Sequence, residues 1–197
     1  MIETSSNQSL WIHDTTNDTT WNSGLIDIHW SEANTPFANI GSRIFFRIDA
    51  NGIAWGGEEL GAFEISNETS WVVADINGGG GTDSIREPIV VGTRCYFSAT
   101  DGTNGDELWA YETTNNSTWM VADINSGGNS SYPGQDLEIL VGDTIYFSAA
   151  GGNSGSELWA HNTSNSSTWQ VADINIGPNM EILVGDTIYF SANDGNS

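Results

Sequence analysis

"ELWAYETTNNSTW", residues 107 to 119, returns at 157 to 169 as "ELWAHNTSNSSTW". Looser copies read "SLWIHDTTNDTTW" (9 to 21) and "ELGAFEISNETSW" (59 to 71). In each, a Trp (Trp21, Trp71, Trp119, Trp169) follows a Leu (Leu10, Leu60, Leu108, Leu158) by 11 residues. Next comes "VVADIN", "MVADIN" or "QVADIN", stretched to "NSGLIDI" in the first copy. A second block, "IGSRIFF", "VGTRCYF" and twice "VGDTIYF", ends on Phe46, Phe97, Phe147 and Phe190. The chain thus repeats about once per 48 to 50 residues, with the slack confined to loops.

Inside a unit the apolar residues alternate as in strands. The last full unit offers "LEILV" (137 to 141), "TIYFSA" (144 to 149), "ELWAH" (157 to 161) and "TWQVADI" (168 to 174). Gly142, a Gly-rich loop and an Asn/Ser/Thr hairpin separate them. Helix patterning is almost absent. Four antiparallel strands at this period predict an all-β, β-propeller-type repeat of four-stranded antiparallel blades. A buried Trp contributes roughly 4 to 6 kcal/mol, whereas each ordered residue costs about 1 to 2 kcal/mol. One unit cannot stand alone, so units must stack face to face.

The expected layout is one repeat domain over 1–197. A half blade at 9–28 holds third and fourth strands, blades follow at 37–77, 86–125 and 136–175, and 179–192 is a half blade of first and second strands. Pairing of the two halves would close a four-bladed ring. Most propellers of this blade type use more blades, so the expectation is an open partial propeller.

The chain of 197 residues carries 26 acidic and four basic side chains, all Arg, and a formal charge of −22. Such a surface repels phosphate backbones and anionic membranes, which argues against nucleic-acid partners. No run of 18 apolar residues exists, so no membrane insertion is expected. A single Cys95 leaves no internal disulfide framework. The first residues, "MIETSSNQSLWIHD", have neither the basic nor the apolar region of a secretory signal. Either the chain stays inside the cell or it is a piece of something longer, and the repeat favours the second.

The Glu-Leu-Trp register, the Asp of "VADI" and "LVGDTIYFSANDG" (183 to 195) resemble the ELWxxDGT, or hyalin-like, repeat of secreted and surface proteins of bacteria and archaea. The match runs through nearly the whole chain. The family's Asp-Gly-Thr is replaced in the hairpin by Glu112-Thr113-Thr114 and Asn162-Thr163-Ser164. "YETTNNSTW" is also similar to the hairpin between third and fourth strands of a kelch blade, without the kelch double glycine. Both resemblances imply a propeller, neither implies a reaction, and the first implies an extracellular or cell-surface setting.

Columns of the repeat weigh the candidate chemistry. Cys95 stands where other copies carry Ile44, Ile145 and Ile188, which makes it a core thiol rather than a nucleophile. His13 and His161 share a column with Phe63 and Tyr111 and read as half-buried packing residues. His29 has no counterpart. Asp75, Asp123 and Asp173, with Asp27 as a looser match, either bond amides of the adjoining turn or ring a central cation, the first reading being favoured. In "TDGTNGDE", Asp101, Asn104, Asp106 and Glu107 form a weak candidate for one calcium ion, the only cofactor suggested. Eight Asn-x-Ser/Thr sequons are present. Asn17, Asn67, Asn115, Asn116, Asn162 and Asn165 lie in the hairpins, while Asn7 and Asn129 do not. Turn preference and glycosylation explain them equally well. The function expected is a non-catalytic recognition or adhesion scaffold for a protein or glycan ligand. The alternatives are an extracellular hydrolase or lyase with its site at the propeller axis, or a structural spacer.

Overall fold

The computed structural model describes residues 8–28, 38–49, 58–78, 88–136, 138–152 and 155–193. These hold sixteen β-strands and no helix. The strands β1 (Gln8–Asp14) and β2 (Thr19–Ile28) form a hairpin. The first four-stranded unit is β3 (Ala38–Ile40), β4 (Arg43–Asp49), β5 (Glu58–Glu64) and β6 (Thr69–Ala74). The second is β7 (Ile89–Val91), β8 (Arg94–Thr100), β9 (Asp106–Glu112) and β10 (Ser117–Ala122). The third is β11 (Glu138–Val141), β12 (Thr144–Ala149), β13 (Glu157–Asn162) and β14 (Ser167–Ala172). A hairpin of β15 (Asn175–Val184) and β16 (Thr187–Asn193) follows.

All pairs are antiparallel between neighbours in sequence, with one addition: Ile28 at the end of β2 bridges Ile48 of β4, joining the first hairpin to the next sheet. That strand belongs to the stretched copy, where register shifts between Gln8, Ser9 and Trp11 accommodate the extra residues. Among the described residues β16 pairs only with β15, and β1 only with β2. Among the described residues the arc is open, as the number of blades led one to expect.

Period-two alternation sends one face of each sheet forward and the other back. Between the first and second full blades, Ala38, Phe45, Leu60 and Ala62 meet Cys95, Phe97, Ala99 and Tyr111. Ile40, Trp71, Val73 and Trp109 close the edges. The next seam repeats this with Tyr96, Leu108 and Ala110 against Ile145, Phe147 and Ala149, with Trp119, Val121 and Trp159 beside them. Phe45 lies 5.6 Å from Tyr111, and Tyr96 lies 5.3 Å from His161, measured between ring centroids. Each repeated Phe faces the preceding unit: Phe46 toward Leu10 and Ile12, Phe97 and Phe147 in the seams, Phe190 toward Leu158 and Tyr146. Phe46, Phe97 and Phe147 are buried and Phe190 half-buried. Trp21, Trp71 and Trp119 are half-buried, whereas Trp169 is exposed.

Candidate functional site

The antiparallel order puts two kinds of loop on opposite rims. One rim carries the turns between first and second strands and the hairpins between third and fourth, tied together by the Thr113 and Thr163 N–H groups, which donate to the carbonyls of Thr93 and Asp143. The hairpins span 15–18, 65–68, 113–116 and 163–166. Each ends in a left-handed residue: Asp18, Glu68, Asn116 or Ser166, at φ 57°, 54°, 55° and 59°. The residue before it (Asn17, Asn67, Asn115, Asn165) accepts two hydrogen bonds through Oδ1. They come from the N–H and the hydroxyl of Thr19, Thr69, Ser117 or Ser167, at 2.6 to 3.1 Å. The turn thus uses an Asx side-chain oxygen followed two residues on by Ser or Thr at these four positions. Asn116 instead accepts from the Tyr111 hydroxyl at 2.7 Å. Asn162 donates through Nδ2 to Thr144 Oγ1 and accepts from the amides of Ser164 and Asn165.

Two of the four basic residues knit this rim. Arg43 pairs with Glu64 at 3.4 Å, lies 5.6 Å above the Trp71 ring and donates to the Thr113 carbonyl of the next blade. Arg94 does the same with Glu112 (3.2 Å), Trp119 (5.8 Å) and the Thr163 carbonyl. Column comparison did not single them out, although an Arg paired with a hairpin Glu in a chain so poor in bases was a signal.

The opposite rim holds the acidic loop. Glu107 is fully buried; its carboxylate accepts from the amides of Ile124 (2.7 Å) and Asn125 (3.3 Å) and from Ser131 Oγ (2.7 Å). Burial raises its pKa, opposed by the Ser131 hydroxyl and the two amides. Asp106 accepts from Ser130 Oγ at 2.9 Å, leaving Oδ1 without a hydrogen bond. Asp101 closes its own turn, accepting from the amides of Thr103 and Asn104 and from Asn104 Nδ2 at 2.7 to 2.8 Å. Burial works against its charge, but those amides hold its pKa below the ordinary value. The four residues proposed for calcium thus serve three separate hydrogen-bond sets. Among the described residues no three His, Cys, Asp or Glu side chains group closely enough to hold a metal.

The expected role of the "VADI" aspartates falls to a different residue. Asp75, Asp123 and Asp173 are exposed, and the amides just after Asp123 go to Glu107. Glu157 repeats the arrangement with the Ile174 amide, and burial raises its pKa, with the Asp173 charge adding to the rise. The Glu of Glu-Leu-Trp is the residue that fastens the fourth strand's exit. Ser130 and Ser131, which no sequence pattern singled out, are partners of Asp106 and Glu107.

Cys95 is buried, and desolvation, helped by the charge of Glu138, pushes its thiol far above the ordinary value. His161 is buried more deeply than expected, with Nδ1 2.9 Å from Thr168 Oγ1. Burial first, then Arg94, keeps its pKa below the ordinary value. His13 is a correction: it is exposed rather than half-buried, because among the described residues no blade packs on its face as Tyr96 packs on His161. His29 and Asn7 fall outside the described residues, as does the Asp27 side chain.

Solved structures share this architecture. TolB from Acinetobacter baumannii matches over 95% of this chain and 46% of its own, with a TM-score of 0.57 at 13% identity. A putative TolB from Agrobacterium tumefaciens matches over 78% of this chain and 48% of its own (TM-score 0.45, 10% identity). The computationally designed Ika4 protein matches over 84% and 89% (TM-score 0.49, 12% identity). This chain spans about half the length of the two TolB chains. No protein-family model and no curated protein sequence matches it. The fold is that of a β-propeller whose blades here form an unclosed stack.

Proposed function

We propose that this chain is a non-catalytic recognition or adhesion scaffold from a secreted or cell-surface repeat protein, with a protein or glycan as its ligand. One observation carries the reading: among the described residues the buried groups able to do chemistry are committed to the frame. Glu107 fastens a strand exit, Cys95 sits in a blade seam and His161 packs at a tilt against Tyr96, while the four polar hairpins are displayed side by side on one rim. Rigid repeats that present a row of equivalent loops suit binding. Kinship with the ELWxxDGT repeat is part of the proposal. It is supported by the distinct duty of each motif residue: Glu107 on backbone amides, Leu108 in the core and Trp109 at the seam.

The test is a glycan and peptide array probed with the folded chain, followed by product analysis on every hit. Saturable binding without turnover supports the proposal. Turnover of a bound carbohydrate would replace it with the hydrolase or lyase reading, and absence of any ligand would leave a spacer.

A further inference from the structure

The two seams between full blades share an apolar plan but differ in one aromatic residue of the third strand. At the first seam it is Tyr111, whose ring lies 5.6 Å from Phe45 of the preceding blade. At the second it is His161, 5.3 Å from Tyr96. The two share a column of the repeat, paired with Cys95 and with Ile145 on the second strand. His161 is only 2% exposed, so one seam encloses a ring that can take up a proton where its sister encloses a phenol.

The groups packed on this imidazole oppose a positive charge or are indifferent to it. From β14, Thr168 Oγ1 lies 2.9 Å from Nδ1. From β12 the neighbour is Ile145. From β8, across the seam, come the Tyr96 ring and the charge of Arg94. Glu112 of β9 is already bonded to that Arg94, at 3.2 Å. Among the described residues no carboxylate pairs with His161.

We propose that His161 makes the joint between the second and third full blades acid-labile: on its protonation the seam at Tyr96 opens, while the seam at Tyr111 stays shut. An imidazolium enclosed among apolar side chains beside a second cation is costly, and parting the blades returns it to water. Arg94 also donates to the Thr163 carbonyl at 3.3 Å, which ties the hairpins 113–116 and 163–166. The spacing of these two displayed loops therefore follows the joint.

Burial and Arg94 hold the folded pKa of His161 below the ordinary 6.5. Its share of the stability is complete above 6.5 and is lost as pH falls from there through the folded value. Glu107 and Glu157, whose pKa values burial raises, respond to acid in the opposite direction. Acid also lessens the repulsion within a chain of charge −22. Loosening confined to one seam thus points to His161.

Thiol labelling of the full chain with a dipyridyl disulfide, which reacts in acid as well as at neutrality, tests this. Native Cys95 reports the first seam, and exchanging two residues of its column, Cys95→Ile with Ile145→Cys, moves the thiol to the second. Relative to the unfolded chain at each pH, labelling at position 145 should accelerate by up to about tenfold per pH unit below 6.5, and labelling at 95 should not. His161→Tyr, the residue of the sister seam, abolishes the acceleration, and Tyr111→His confers it on Cys95. Should a variant misfold, ring cross-peaks of the unaltered protein read the same event: Tyr96–His161 fades in acid and Phe45–Tyr111 persists. A second seam that stays shut in acid, an equal response of both seams, or acceleration that survives His161→Tyr overturns the inference.

Discussion

Glu107 is the acid that the fold uses most heavily, and its protonation has a readable sign. Its pKa stands above the ordinary 4.5, so the native state holds this proton more tightly than the unfolded chain does. The stability it contributes is complete below 4.5 and is lost as pH rises through the folded value. Glu107→Gln removes that dependence. Urea unfolding should therefore show a wider gap between the native protein and the variant at about pH 4 than at about pH 7; a gap that widens toward neutrality contradicts the burial. Cys95 gives a second test at this scale. Cys95→Ser places a hydroxyl among Phe45, Leu60 and Phe97 and should cost about 1 to 3 kcal/mol. The native thiol should react with a disulfide reagent only as fast as the protein unfolds. The core role of Cys95 was legible because Ile145 marks the column. The Glu107 network was not, since its partners Ile124 and Ser131 are 17 and 24 residues distant and nothing in the sequence ties them to it.

Elements owe their ends to turns with little tolerance. Gly105 sits at φ +75°, and a Cβ there would lie 2.4 Å from the Asn129 carbonyl oxygen, where the acidic loop packs on the exit of the fourth strand. Gly92, at φ +62°, has open space around it. Gly92→Ala should therefore cost about 1 kcal/mol from backbone conformation alone. Gly105→Ala adds a clash with main chain and should cost at least about twice as much, with the excess loss of hydrogen-exchange protection centred on 123–131. Equal costs at the two glycines would contradict the close packing. Strands and hairpins were readable from alternation and from the Asn/Ser/Thr turns, because those signals are local. The Ile28–Ile48 bridge was not readable, since it depends on where a lengthened strand happens to reach. Four of the six hairpin asparagines accept the turn's hydrogen bonds through Oδ1.

The whole molecule is one seam used repeatedly. Its charge of −22 makes mutual repulsion a general load on the fold. The arginine clasp occurs in two blades, the third carrying Thr144 instead, so the seams differ in polar support while sharing their apolar plan. One blade per repeat was legible from the spacing of about 48 to 50 residues, and the open arc from a blade count smaller than most propellers use. The claim on which everything else rests is that successive blades stack through equivalent second- and third-strand residues. Nuclear Overhauser spectroscopy on the selectively labelled aromatic rings examines it most directly. Cross-peaks are predicted between Phe45 and Tyr111 and between Tyr96 and His161, whose ring centroids lie 5.6 and 5.3 Å apart. Absence of both, with contacts instead between identical positions of successive units as in a parallel coil, would contradict the propeller stack.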